Sequence, residues 1–139
     1  MTKLSIGFSP CPNDTFIFDA LIHGKIDTEG LEFEVNMADV EELNQMAFRG
    51  ELDITKLSYN AYLHILEEYI MMDSGSALGN NCGPLLIKNA GSENPNEMDL
   101  IAIPGNYTTA NFLLNYAFPD MQNKREFLFS DIELSLIHI

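Results

Sequence analysis

A chain of 139 residues with 46% apolar side chains is long enough for one real core, or for one complete lobe and part of another, and is neither disordered nor of low complexity. Seven Lys and Arg against 21 Asp and Glu leave a formal charge of -14, which repels phosphate backbones and anionic membrane surfaces and argues against nucleic acid as a partner. Of the cations Lys3, Lys25, Arg49, Lys56, Lys88, Lys124 and Arg125, only Lys56 stands immediately before an expected helix start.

The N-terminus enters a strand pattern at once, with no basic segment and apolar core of the signal-peptide kind. No apolar run approaches the length of a membrane span, so the expected setting is the cytoplasm. Cys11 and Cys82 lack CxxC spacing and read as free thiols in a reducing compartment. A cysteine at a helix start can be an activated nucleophile, but the reading adopted for Cys11 is a small side chain in a tight turn.

Leu4, Ile6 and Phe8 alternate with Ser5 and Gly7, the pattern of a short strand. Pro10 and Pro12 then predict a rigid turn with no helix before Asn13, and Asn13 or Asp14 is the expected cap. Phe16, Ile17, Phe18, Ala20, Leu21 and Ile22 are apolar on more than one face, which predicts a helix packed on two sides. His23-Gly24 is its expected stop. Leu31 to Met37 alternates as a strand with one wet face. Asp39 with Glu41 and Glu42 reads as a capping box set against the helix dipole, which accounts for the paired glutamates without acid-base chemistry. Val40, Leu43, Met46 and Ala47 form the expected buried stripe, and Gly50 ends the helix.

Leu52 to Leu57 is the next expected strand, with Ser58 as N-cap of a helix carrying Ala61, Tyr62, Ile65, Leu66 and Tyr69 inward. His64 and Glu68 lie four apart as a solvated pair. Ile70-Met71-Met72 reads as a short strand. The glycine-rich stretch Ser74 to Pro84 lacks the Gly-Lys-Ser/Thr ending of a phosphate loop and reads as a pocket-edge or hinge loop. Leu85-Leu86-Ile87 is a further expected strand, and the polar run from Ala90 to Asp99 a boundary. Leu100 to Pro104 begins a new unit. Gly105 to Thr109 turns into a helix over Ala110 to Phe118, closed by Pro119.

Strand, helix, strand, helix with short links implies an α/β fold with parallel pairing. Ligands in such sheets gather beyond the carboxyl ends of the strands. The junctions Ser9 to Thr15, Lys56 to Ser58 and Gly105 to Ala110 are therefore expected to converge on a carboxylate-bearing small molecule, with one cation, several hydroxyls and helix-start amides. His23, His64 and His138 are too dispersed for a metal site, and no Ser-His-Asp order is evident.

Ser9-Pro10-Cys11-Pro12-Asn13-Asp14-Thr15-Phe16-Ile17-Phe18, with Thr55-Lys56-Leu57-Ser58-Tyr59, Ser74-Gly75-Ser76-Ala77-Leu78-Gly79, Gly83-Pro84-Leu85 and Tyr107-Thr108-Thr109-Ala110, resembles the 1,4-dihydroxy-6-naphthoate synthase family of the futalosine route to menaquinone. The likeness runs to about Glu133. It implies a periplasmic-binding-protein type II-like fold, two α/β lobes around a cleft, with the second lobe incomplete. Residues 1–90 would form the first lobe, 91–99 the connector and 100–139 the start of the second, with 134–139 foreign to the family pattern. It also implies a cytoplasmic lyase that converts cyclic dehypoxanthinylfutalosine to 1,4-dihydroxy-6-naphthoate without metal or organic cofactor. Carried over by position, the family's substrate-binding segments fall on Lys56, Leu57 and Ser58 and on Thr109 and Ala110, with Ser9, Asn13 and Asp14 as a pocket wall.

The family's general base is a histidine in an Ile-Ile-His-Glu run. Leu136-Ile137-His138-Ile139 follows Asp131-Ile132-Glu133 too soon and lacks the glutamate, so no base is assigned and the segment alone is expected to be inactive. Unfinished strand edges and an apolar terminus predict aggregation. Two other readings stay open: a non-catalytic small-carboxylate binding protein of the same fold, and chorismate dehydratase, against which the Ser9 to Phe16 motif argues.

Overall fold

The computed structural model of the chain describes residues 2–77, 80, 83–89, 91 and 99–132. Its organising strand is β1 (Thr2–Phe8), which runs parallel to β2 (Leu31–Met37) from Thr2↔Leu31 to Phe8↔Met37 and to β3 (Ile54–Thr55) through Ile6↔Ile54 and Gly7↔Thr55. The sheet order is β2-β1-β3. Helices α1 (Pro12–Ile22) and α2 (Val40–Phe48) make the crossings, and the short α3 (Tyr59–Tyr62) follows β3. A second parallel pair, β4 (Ile101–Ile103) and β5 (Lys124–Glu126), is joined by α4 (Thr109–Ala117), and a single 3-10 turn follows at Phe129–Asp131.

Alternation places Ile6 and Phe8 at the centre of the first core, at 1% and 0% exposure, with Leu43, Ala47, Leu52, Ala61 and Ile65 buried around them. Phe18 stacks on Phe8 with ring centroids 4.6 Å apart. Gly7 stands between them because a Cβ there would run into Leu43 and Leu52. Ser5 pins β1 to the segment before β3. Its N-H and hydroxyl both donate to Asp53 Oδ2, at 2.8 and 2.7 Å, and the Asp53 amide donates back to Ser5 Oγ at 2.8 Å. Those donors hold the Asp53 carboxyl below the usual carboxylate range, the backbone N-H contributing most. Tyr69 closes the core edge by donating to Leu52 O at 2.5 Å, and burial pushes its phenol up. A smaller core of Ile101, Ile103 and Met121, flanked by Leu114, lies under α4.

Several elements differ from the sequence reading. The first helix starts at Pro12 with Cys11 as N-cap, because proline at the first helical position brings its fixed φ and loses no needed donor. Asp14 lies inside that helix and caps nothing. Phe16 and Ile17 are 85% and 58% exposed, so α1 is covered on one side only. β2 is an edge strand that leaves Leu31, Val35 and Met37 open. The expected helix over residues 61–69 shortens to α3, and the chain continues in tight turns that still bury Ile65.

Neither Ile70-Met71-Met72 nor Leu85-Leu86-Ile87 is a strand; Ile70 is 91% and Leu85 83% exposed. A strand needs ladder partners, and neither run is paired into a described sheet. β5 was not foreseen: Lys124-Arg125-Glu126 is charged and shows no apolar alternation. Of the expected connector 91–99, all but residues 91 and 99 lie outside the described residues. So do Cys82 and the whole of 134–139, His138 included.

Candidate functional site

Three strand-to-helix junctions meet through side chains. At the first, the carboxylate of Asp14, 7% exposed, folds the turn onto itself: Oδ2 accepts from the Ser9 N-H at 3.1 Å and the Ser9 hydroxyl at 2.8 Å. The other oxygen, Oδ1, stands 3.4 Å from Lys56 Nζ. Lys56 itself is placed by the sheet, since its N-H donates to Gly7 O at 2.8 Å as a continuation of the β1–β3 ladder. The turn after β1 and the residue after β3 are thereby tied by a half-buried ion pair. At 3.4 Å the pair is loose, and an ammonium with three donors keeps capacity for a second anion. Asn13 is exposed in the first turn of α1 and takes part in none of these bonds.

Ser58 sits at the N-cap position of α3 but makes no side-chain cap. Asn44, fully buried on α2, reads it instead: Ser58 N donates to Asn44 Oδ1 at 3.0 Å, and Asn44 Nδ2 donates to Ser58 Oγ at 3.3 Å. The serine amide is thus used, while its hydroxyl hydrogen remains to be given elsewhere. Leu57 is half-buried between the two polar residues.

At the third junction the adjacent threonines divide the work. Thr108, 3% exposed, is the N-cap of α4; its hydroxyl donates to Gly105 O at 2.8 Å and accepts from Asn111 N at 3.3 Å. Thr109 Oγ1 accepts from Asn60 N at 3.4 Å and keeps its own hydrogen to donate. The helix supplies no partner to the N-H groups of Thr109 and Ala110 in its first turn. The cap of α4 is therefore Thr108, and its neighbour Thr109 is left to bind.

Asn60 joins the second junction to the third, since its Nδ2 also donates to Tyr107 O at 3.2 Å. An aromatic trio adds to that joint. Tyr107 meets Phe48 edge-on at 4.7 Å and His64 at 5.5 Å. His64 turns to these rings rather than to Glu68. His23 stays at the end of α1, with Nδ1 3.1 Å from Asp19 Oδ1.

An open groove of about 350 Å³ lies between α3 and α4, lined by Tyr59, Asn60, Tyr62, Met71, Thr109 and Phe112 among others. It shares Asn60 and Thr109 with the junction cluster, whereas Lys56 and Ser58 are not in its lining. An apolar surface therefore adjoins a polar one containing a cation and two hydroxyl donors. Among the described residues no group of three or more His, Cys, Asp or Glu side chains could hold a metal ion. No helix there is long and apolar enough to cross a membrane.

Glu41, Asn44 and Asn60 have no place in the sequence-predicted site, and Tyr107 enters it only as part of the Gly105 to Ala110 turn. Asn44 carried a usable signal, being a polar residue on the stripe otherwise formed by Val40, Leu43 and Ala47. Glu41 carried none, because the capping box explained it.

Comparison with known proteins gives a consistent set. The family model described as Menaquinone biosynthesis matches residues 4–136. A Thermus thermophilus protein named "1,4-dihydroxy-6-naphtoate synthase" is 47% identical over 83% of this chain and 42% of its own length. A Streptomyces coelicolor protein of the same name is 40% identical over 79% of this chain and 38% of its own length. The crystal structure of an Archaeoglobus fulgidus protein superposes with a TM-score of 0.89 at 35% identity, covering 98% of this chain and 50% of that one. The chain thus spans less than half the length of the curated relatives it matches.

Proposed function

The chain belongs to the menaquinone biosynthesis family, and on that premise we propose that it is the N-terminal part of a 1,4-dihydroxy-6-naphthoate synthase. The full protein would be a lyase-type enzyme that converts cyclic dehypoxanthinylfutalosine to 1,4-dihydroxy-6-naphthoate in the cytoplasm, with no metal or organic cofactor. Its arrangement would be periplasmic-binding-protein type II-like: a first α/β lobe over 1–90, a connector at 91–99 and a second lobe beginning at 100, with the substrate between them.

The observation that supports this reading is that the three junctions are linked in pairs, the first to the second by the Lys56–Asp14 ion pair and the second to the third by the Asn60–Thr109 bond. Lys56 supplies the charge for a carboxylate, while the Ser58 and Thr109 hydroxyls each accept one N-H from the protein and keep a hydrogen that can be donated to it. The Ala110 amide adds a helix-start N-H, Leu57 fixes the spacing between Lys56 and Ser58, and Ser9 and Asp14 form the wall behind the cation. The aromatic and apolar groove beside Thr109 suits the ring system of such a substrate.

Binding by these residues does not supply a proton acceptor. His23 is engaged with Asp19 and His64 with Phe48 and Tyr107, so neither is assigned as base. Incubation with cyclic dehypoxanthinylfutalosine, following naphthoate formation, tests the reading. A full-length protein carrying this sequence is expected to turn over, and the 139-residue chain alone to form little or no product. A full-length protein that bound the compound reversibly and left it unchanged would be a binding protein instead. One that consumed chorismate would be the dehydratase.

A further inference from the structure

We infer that Glu41 and Asn44 are positioning residues: together they lock the segments 56–58 and 107–110 to each other, and Asn44 orients the Ser58 hydroxyl. The inference rests on the substrate reading above and adds two residues of α2 that lie outside both segments. Asn44 is 0% exposed and faces three groups with one carboxamide. Its oxygen takes the Ser58 N-H at 3.0 Å, and its nitrogen lies 3.3 Å from both Ser58 Oγ and Glu41 Oε2. Glu41 continues the chain of bonds to the other segment: the same Oε2 accepts from Tyr107 N at 3.2 Å, while Oε1 accepts from Gln45 Nε2 at 3.0 Å.

Every partner of the Glu41 carboxylate is an N-H donor, which is the environment of an acceptor-only group. The opposing turn is shaped to admit it. Gly105 has φ +152, and any Cβ there would collide with the Glu41 side chain. Neither fact is explained by helix capping: Asp39 makes no side-chain cap, and Glu41 reaches out to Tyr107 rather than back to the helix start.

The consequence for ligand binding is polarity. Asn44 Nδ2 donates to Ser58 Oγ, which occupies one lone pair of that hydroxyl and leaves its hydrogen to give to a carboxylate. Without the joint, the Ser58 hydroxyl loses this donor and its orientation relative to the 107–110 segment. Two segments nearly fifty residues apart would then have to be ordered by the ligand itself.

Glu41→Gln keeps size and removes the acceptor-only character, because its amide nitrogen faces donors. Gly105→Ala attacks the same joint from the opposite side. In a full-length protein carrying this sequence and in both of its variants, amide hydrogen exchange is followed at Tyr107 and Ser58, with the β1–β2 amides reporting whether the sheet is intact. Titration with 1,4-dihydroxy-6-naphthoate supplies the binding arm. The expected result is exchange faster by about tenfold at Tyr107 and Ser58 with the β1–β2 amides unchanged, and naphthoate binding weaker by about tenfold in both variants. Unchanged exchange at both positions would overturn the joint. Faster exchange with undiminished binding would overturn its positioning role. If the unsubstituted chain takes up no naphthoate, the proposed function falls, and the exchange arm by itself upholds or rejects the joint.

Discussion

β1 and the run Leu85-Leu86-Ile87 are both short and carry apolar side chains, yet one buries Ile6 and Phe8 almost completely and the other lies open. Ile6 has parallel partners on both sides, Val35 of β2 and Ile54 of β3, Phe8 pairs with Met37 of β2, and the two are 1% and 0% exposed. Leu85 has no ladder in either described sheet and is 83% exposed. The difference lies in the company the strand keeps. Local β propensity sets a preference, and hydrogen-bonded neighbours with a covered face decide whether it is realised.

The largest expected effect is at the paired strand. Phe8→Ala removes a fully buried ring and its stack on Phe18 and should lower stability by about 3–5 kcal/mol, read as a fall in the denaturant midpoint. A loss below about 1 kcal/mol would mean that β1 is not the core.

An intermediate effect belongs to the Ser5–Asp53 pin. The folded Asp53 carboxyl is held below its ordinary range, so its contribution is present above about pH 4, the unfolded value, and fades as pH falls through the lower folded one. Asp53→Asn should therefore cost some stability at pH 7 and flatten its decline as pH falls below about 4. An unaltered acid profile would remove the pin. The smallest effect is expected from Leu85→Ala, within about 0.5 kcal/mol of the unsubstituted chain, because little is buried there to lose. A loss as large as that of Phe8→Ala would break the comparison.

The same distinction explains what could be read from the sequence. Alternation at Leu4, Ile6 and Phe8, the Leu31 to Met37 repeat, the His23-Gly24 stop with Gly24 at φ +62, and the turn into α4 all follow local rules, and the structure shows each. Strand status at Ile70 to Met72 and Leu85 to Ile87 depended on neighbours that no local rule supplies. The site divides in the same way. Lys56, Ser58 and Thr109 stood out at junctions, as charge and hydroxyls beside helix starts. Asp14 is legible as a cap and as part of the pocket wall, but not as the carboxylate that faces Lys56. Glu41 bonds to a residue 66 positions away, a relation no spacing rule within one helix can reveal.

The claim that the junctions form one carboxylate site is tested most directly by titrating 1,4-dihydroxy-6-naphthoate into a full-length protein carrying this sequence and two of its lysine variants. Lys56→Ala should weaken binding by about tenfold or more, the loss of a charge-assisted contact, while Lys88→Ala stays within about twofold. Equal and small effects from both would take Lys56 out of the site and contradict the assignment.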